Sequence, residues 1–97
     1  MTQPNILVIM GDHFRHDAMG WKGNPLAHTP NLDRLASESV KFTECFCQSP
    51  VCSPARHALN TGQYCHKNGV ITNGDIPHEG MFTLAHALKP KIGRAHV

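Results

Sequence analysis

Apolar residues in the first half of the chain fall into short continuous runs and helically spaced positions. The run at residues 6–10 is partly β-branched, and it predicts a strand over 5–10 that is buried on both faces, as in a parallel sheet. After a glycine-containing loop, apolar residues recur on one helical face around Leu32 and Leu35. Residues 40–47 alternate partly and predict a second strand.

Residues typical of helix ends indicate where two helices begin and where one of them stops. Thr29 and Pro30 indicate a helix start, because threonine can cap an N-terminus and proline suits the first helical position. Ser53 before Pro54 predicts a second start in the same way, and Gly62 is a natural stop.

The second half continues with turns and a further helix. Asn-Gly pairs at 68–69 and 73–74 mark turns, and residues 82–88 predict a third helix. The order strand, helix, strand, helix indicates an α/β layer fold. With 97 residues, the chain holds one domain at most.

Composition narrows the function only slightly. Nine basic and seven acidic residues give a formal charge of +2, which is too weak to indicate a nucleic acid or a membrane surface as partner. Eight histidines favour a polar site of some kind. The longest apolar run is too short for a membrane span or a secretory leader, so we expect a cytoplasmic protein.

One segment carries specific chemistry. Residues 50–62 read Pro-Val-Cys-Ser-Pro-Ala-Arg-His-Ala-Leu-Asn-Thr-Gly. This resembles the sulfatase signature, in which Cys-x-Pro-x-Arg is followed by a short helix and Thr-Gly. Residues 5–12 look like the family's first strand ending in a metal-binding Asp, 29–36 are similar to its first helix, and 64–70 follow its pattern after the signature. The resemblance implies the N-terminal part of an alkaline-phosphatase-like mixed or parallel sheet flanked by helices, incomplete in this chain.

The resemblance also implies a mechanism. Cys52 would be oxidised after synthesis to formylglycine by a modifying enzyme. The hydrated aldehyde offers two hydroxyls on one carbon. One attacks the sulfur and displaces the alcohol, and the other then loses its proton as the aldehyde re-forms and sulfate leaves. Arg56 would hold the hydrated aldehyde and the oxyanion with its planar fork of donors.

A divalent cation belongs to the same implied site. Asp12 and the modified Cys52 would contact it, and hard oxygen ligands favour Ca²⁺, with Mn²⁺ or Mg²⁺ in related branches. Many sulfatases carry two adjacent aspartates where this chain has Asp12 and His13. That difference, and Asn73 at the spacing of a residue that contacts the ester, resemble the choline-sulfatase and phosphonate-monoester-hydrolase branch. Whether His13 is a metal ligand and whether His66 contacts substrate stay open.

Three functions are therefore considered. The leading prediction is a hydrolase of small-molecule sulfate esters. The closest alternative is a phosphonate monoester or phosphodiester hydrolase with the same nucleophile. The alternative from another class is a small metal-binding module without catalysis, which would use Cys45, Cys47 and Cys65.

The end of the chain has a different character. Residues 92–97 show no amphipathic pattern. Translated back through the genetic code, they match the codons ATC-GGA-AGA-GCA-CAC-GTC, which look like a common sequencing-library adapter. We therefore predict that residues 1–90 are the N-terminal fragment of a sulfatase catalytic domain and that 91–97 are a non-native tail. Such a fragment would be inactive alone, because the family's remaining metal ligands and general acid lie downstream.

Overall fold

The computed structural model describes residues 4–89, and the predicted tail at 91–97 lies outside them. The chain divides into two compact units, the first ending at Glu44 and the second beginning at Cys45. None of the helices in the described part is long and apolar enough to span a bilayer. The helical elements are a 3₁₀ turn at Gly20–Lys22, α1 at Pro30–Ser37, α2 at Cys52–Thr61, α3 at Cys65–Asn68 and α4 at Leu84–Leu88.

In the first unit, polar side chains tie the 3₁₀ turn to helix α1. Gly20 N–H donates to Thr29 Oγ1 over 2.9 Å, and Trp21 N–H donates to Asp33 Oδ1 over 3.0 Å. The Thr29 hydroxyl donates to Asp33 Oδ1 over 2.9 Å. Pro30 takes the first helical position, as predicted. Thr29 occupies the N-cap position, but its side chain bonds to the turn and to Asp33 rather than to a helix N–H.

The two predicted strands are not present between residues 4 and 89. Residues 5–10 and 40–47 are irregular, and their apolar side chains face solvent, with Ile6 82% and Phe46 81% exposed. A strand exists only where a neighbouring strand supplies backbone donors and acceptors. The described residues provide no such neighbour, so the predicted sheet is not confirmed. The helices of the α/β prediction are present.

Helix α2 begins earlier than the sequence predicted. Val51 is its N-cap, with φ −100° and ψ 137°, so Cys52 occupies the first helical position. Ser53, the predicted cap, lies inside the first turn. The C-terminus is as predicted, since Gly62 adopts the left-handed conformation with φ 65° and its N–H donates to Ala58 O over 2.9 Å.

A buried asparagine organises the second unit around α2 and α3. Asn68 and Val70 are both fully buried. Asn68 Oδ1 accepts from Val70 N–H over 2.9 Å, and its amide nitrogen donates to Gln63 O over 3.4 Å. Its backbone carbonyl accepts from His78 N–H over 3.2 Å. The short helix α3 is thus tied to the chain that follows it, and this helix was not predicted from the sequence.

We expect Asn68→Ala to lower the free energy of unfolding by about 1–3 kcal/mol, since Val70 N–H would be buried without its partner. The matched control is Asn60→Ala on the exposed face of α2, which should be neutral or slightly stabilising. Denaturant titration of both variants checks this. Equal losses at the two positions would show that the Asn68 hydrogen bonds do not matter.

Candidate active site

Two of the predicted site residues meet at the N-terminus of α2. The Cys52 Sγ–H donates to Asn73 Oδ1 over 3.3 Å, although 21 residues separate them. Ser53 N–H donates to the same oxygen over 3.0 Å. Cys52 and Asn73 are both exposed to solvent. The structure therefore places a thiol and a carboxamide together where a small molecule can reach them.

Asn73 also acts as the cap of helix α2. The first N–H groups of a helix have no partner within the helix, and Val51 provides no side-chain cap. Asn73 Oδ1 accepts from one of these groups, that of Ser53. The start of the helix and the segment that carries Asn73 are thus fixed to each other. This cap comes from 20 residues away, so local sequence signals do not reveal it.

Arg56 lies in the same helix, one turn after Cys52. Residues four apart share a helix face, so Arg56 and Cys52 are neighbours on the surface of α2. The arginine is exposed to solvent. A guanidinium and a helix N-terminus both favour negative charge, which suits this end of α2 to an anionic group.

Residues 71–75 form the turn that carries Asn73, called the Asn73 turn below. Asp75 Oδ2 accepts from Ile71 N–H over 2.8 Å and from Thr72 N–H over 2.7 Å. Asp75 N–H donates to Thr72 O over 3.3 Å, and Gly74 takes a left-handed φ of 101°. Sequence reasoning missed Asp75, and its only signal was a carboxylate directly after the Asn-Gly pair.

The Asp75 carboxyl should titrate below its ordinary pKa of 3.8, first because Thr72 N–H and then because Ile71 N–H stabilises the charged form. Because folding lowers this pKa, the ionised Asp75 contributes fully to the stability of the folded state above pH 3.8. That stability is lost as the pH falls through the pKa of the folded state. In an NMR titration, the Ile71 and Thr72 amide shifts should follow the Asp75 carboxyl midpoint. A midpoint at or above 3.8 would contradict these hydrogen bonds.

Asp12 belongs to the first unit, whereas Cys52, Arg56 and Asn73 belong to the second. It is exposed and lies in a turn with His13, whose φ of 51° is uncommon for a residue other than glycine. Between residues 4 and 89, no group of three or more His, Cys, Asp or Glu side chains could hold a metal ion.

The alternative function, a metal-binding module, would need Cys45, Cys47 and Cys65 to lie around one ion. Cys45 and Cys47 are exposed. Cys65 instead lies against backbone, with Sγ 3.7 Å from Pro54 O and 3.9 Å from Gln48 O. The structure gives no support to a metal site built from these cysteines.

His66 stacks on a neighbouring aromatic ring. Its imidazole lies 5.8 Å from the Tyr64 ring, centroid to centroid, with 12° between the planes. The histidine itself is exposed. Its contact within the described residues is thus a local ring pair at the start of α3.

Comparison with known proteins agrees with the signature at Cys52. The sulfatase family model matches residues 4–92. The ulvan-active sulfatase of Formosa agariphila is 44% identical over 72 residues, which is 74% of this chain and 14% of that protein. The sulfatase YidJ of Escherichia coli is 38% identical over 90 residues, 92% of this chain and 18% of that protein. Human steryl-sulfatase is 42% identical over 71 residues, 73% of this chain and 12% of that protein.

No solved structure matches the chain significantly. The chain spans less than a fifth of the length of these relatives, between 12% and 18%. The family model nevertheless covers nearly all of it, including both units and the Cys52 motif. The chain belongs to the sulfatase family.

Proposed function

We propose that the protein containing this chain hydrolyses sulfate esters with a nucleophile made from Cys52. The observation that carries the proposal is the contact of Cys52 with Asn73 at the start of α2, one turn before Arg56. All three residues lie at one exposed helix end. The proposal assigns the precursor of the nucleophile to Cys52, the contact to the ester to Asn73 and the positive charge for the sulfate to Arg56.

The Cys52 thiol stands where the modified side chain would carry its oxygens. A modifying enzyme would convert the cysteine to formylglycine, whose hydrate supplies one hydroxyl to attack sulfur and another whose deprotonation releases sulfate. The first helical position favours this role, because a side chain at a helix start is exposed and close to the positive end of the dipole.

Asn73 and Arg56 have separate roles in this proposal. Asn73 Oδ1 accepts from Cys52 and Ser53, so the contact to the ester oxygen is assigned to the Asn73 Nδ2 group as donor. Arg56 supplies a fixed fork of N–H donors to the sulfate oxygens, whose negative charge is redistributed as the ester bond breaks.

Asp12 is proposed as one ligand of a divalent cation that the modified Cys52 would also contact. Sulfatases generally use such a cation, and a carboxylate suits Ca²⁺, Mg²⁺ or Mn²⁺, with Ca²⁺ our first choice. Residues 4–89 contain no cluster of three His, Cys, Asp or Glu side chains that could hold the ion. The proposal therefore assigns further ligands to the rest of the full-length protein. The cation would supply charge neutralisation at the sulfate.

The second candidate is a phosphonate monoester or phosphodiester hydrolase. It is favoured by the contact of Asn73 with Cys52 and by a single aspartate at Asp12, features that resemble the choline-sulfatase and phosphonate-monoester-hydrolase branch. In either case we propose that residues 1–90 form the N-terminal part of the catalytic domain. Sequencing the locus across codons 91–97 tests whether the coding sequence continues differently there.

Substrate comparison separates the two candidates. The full-length protein, co-expressed with a formylglycine-generating enzyme, should cleave an aryl sulfate with a kcat/KM about tenfold or more above that for the matching aryl phosphonate monoester. The reverse preference would establish the second candidate. Failure to cleave either ester would overturn the proposed function.

A further inference from the structure

We propose that Asp75 is a positioning residue, which holds Asn73 against Cys52 and the start of α2. The proposal rests on the proposed function only in calling this contact part of an active site. The contact itself, and the dependence on Asp75, can be tested without turnover.

The first step is the pair of hydrogen bonds that the Asp75 carboxylate accepts within the turn. Asp75 Oδ2 accepts from Ile71 N–H at 2.8 Å and Thr72 N–H at 2.7 Å. Hydrogen bonds to an ionised acceptor are short and roughly twice as strong as neutral ones. Together with the Asp75 N–H to Thr72 O bond, they close the turn from both ends.

The second step is that, among the described residues, the turn itself has no buried side chain. Residues 71–75 are all exposed, and Ile71 keeps 54% of its surface in contact with solvent. The nearest buried anchor is Val70, directly before the turn. An exposed segment with few apolar contacts depends on its hydrogen bonds for a defined conformation.

The third step is what the turn positions. Asn73 lies between Thr72 and Asp75, which are hydrogen-bonded to each other. Its Oδ1 accepts from Cys52 Sγ–H and Ser53 N–H. A displacement of the turn by about 1 Å would break both contacts, and a misplacement of this size can cost an enzyme about 10²-fold. Asp75 would therefore affect catalysis without touching substrate.

The first test uses hydrogen exchange in the full-length, unmodified protein. Asp75→Ala should speed exchange of the Ser53 amide by about tenfold, and Asn73→Ala should do the same, because each removes the acceptor from its place. The control is the Gly62 amide at the other end of α2, which should not change. Unchanged exchange at Ser53 in Asp75→Ala would overturn the proposal whether or not the protein hydrolyses esters.

The second test is a double-mutant cycle on turnover. Asp75→Ala should lower kcat by about 10- to 100-fold, whereas in an Asn73→Ala background it should have little further effect. Asp75→Asn, which keeps an acceptor oxygen, should keep part of the activity that Asp75→Ala loses. The control is Asp17→Ala, which removes a half-exposed carboxylate paired with Arg15 and should leave kcat unchanged. Fully additive losses would contradict a role through Asn73. A parent protein that cleaves no ester would instead count against the proposed function, and the hydrogen-exchange result would still decide the role of Asp75.

Discussion

Replacing Cys52 with alanine in the full-length protein should reduce kcat for a sulfate ester by about 10⁴-fold or more, the scale of loss when an enzyme loses its covalent nucleophile. The physical reason is that alanine offers no group that can become an aldehyde. The fold should be little affected, because Cys52 is exposed at the first position of α2. Alanine also suits a helix at least as well as cysteine does.

Cys45→Ala provides the matched control for this loss. Cys45 is also exposed and also unbridged, but it lies outside α2 and the Asn73 contact. The control variant should keep the turnover of the parent protein. If Cys52→Ala retained more than a small fraction of the activity, or if Cys45→Ala lost as much, Cys52 would not be the precursor of the nucleophile.

Replacing Arg56 with alanine should lower kcat/KM by about 10²- to 10³-fold, the range for removing a donor that stabilises developing charge. Arg56→Lys should restore only part of this loss, because an ammonium keeps the charge but cannot present two parallel N–H donors to the oxyanion. Steady-state kinetics of both variants, with a saturating and a limiting ester concentration, measures the effect.

Arg34→Ala is the control for the loss of a positive charge. Arg34 is exposed in α1, within the first unit, and has no part in the proposed site. It should therefore leave kcat/KM unchanged. A comparable loss in Arg34→Ala, or a fully active Arg56→Lys variant, would show that net charge rather than the placed guanidinium matters.

The helices were predictable where their signals are local. Pro30 at the first position of α1 and Gly62 in a left-handed conformation after α2 follow from constraints on single residues. The sequence predicted the start of α2 too late in the chain. The side chain that caps this helix start belongs to Asn73, which is distant along the chain. Capping rules consider only neighbouring residues, so they predicted Ser53 as the capping side chain. In the structure, the Asn73 side chain accepts the hydrogen bond instead.

The sequence predicted candidate site residues but not how the structure arranges them. The sequence motif indicated Cys52 and Arg56, and the branch resemblance indicated Asn73. The contact between Cys52 and Asn73 depends on the closed turn around Asp75, which no motif marked. Asn68 was missed for a similar reason, since a buried amide that bonds only to backbone resembles an ordinary turn residue in the sequence.

The predicted strands illustrate the opposite case. Residues 5–10 carry the apolar pattern of a buried strand, yet Ile6 and Ile9 are 82% and 80% exposed. A pattern describes which environment a segment suits, whereas a sheet also requires partner strands. The irregular conformation of 5–10 and 40–47 reflects the absence of such partners among residues 4–89.

The central claim is that Cys52 becomes the formylglycine nucleophile, and mass spectrometry tests it most directly. The full-length protein is expressed with a formylglycine-generating enzyme, digested, and the peptide that contains Cys52 is weighed. We expect the mass of an aldehyde, in which the side chain has lost its sulfur and two hydrogens and gained one oxygen. We also expect hydrolysis of a sulfate ester in proportion to the modified fraction. A Cys52 peptide that remains an unmodified thiol in a protein that nevertheless cleaves the ester would contradict the claim.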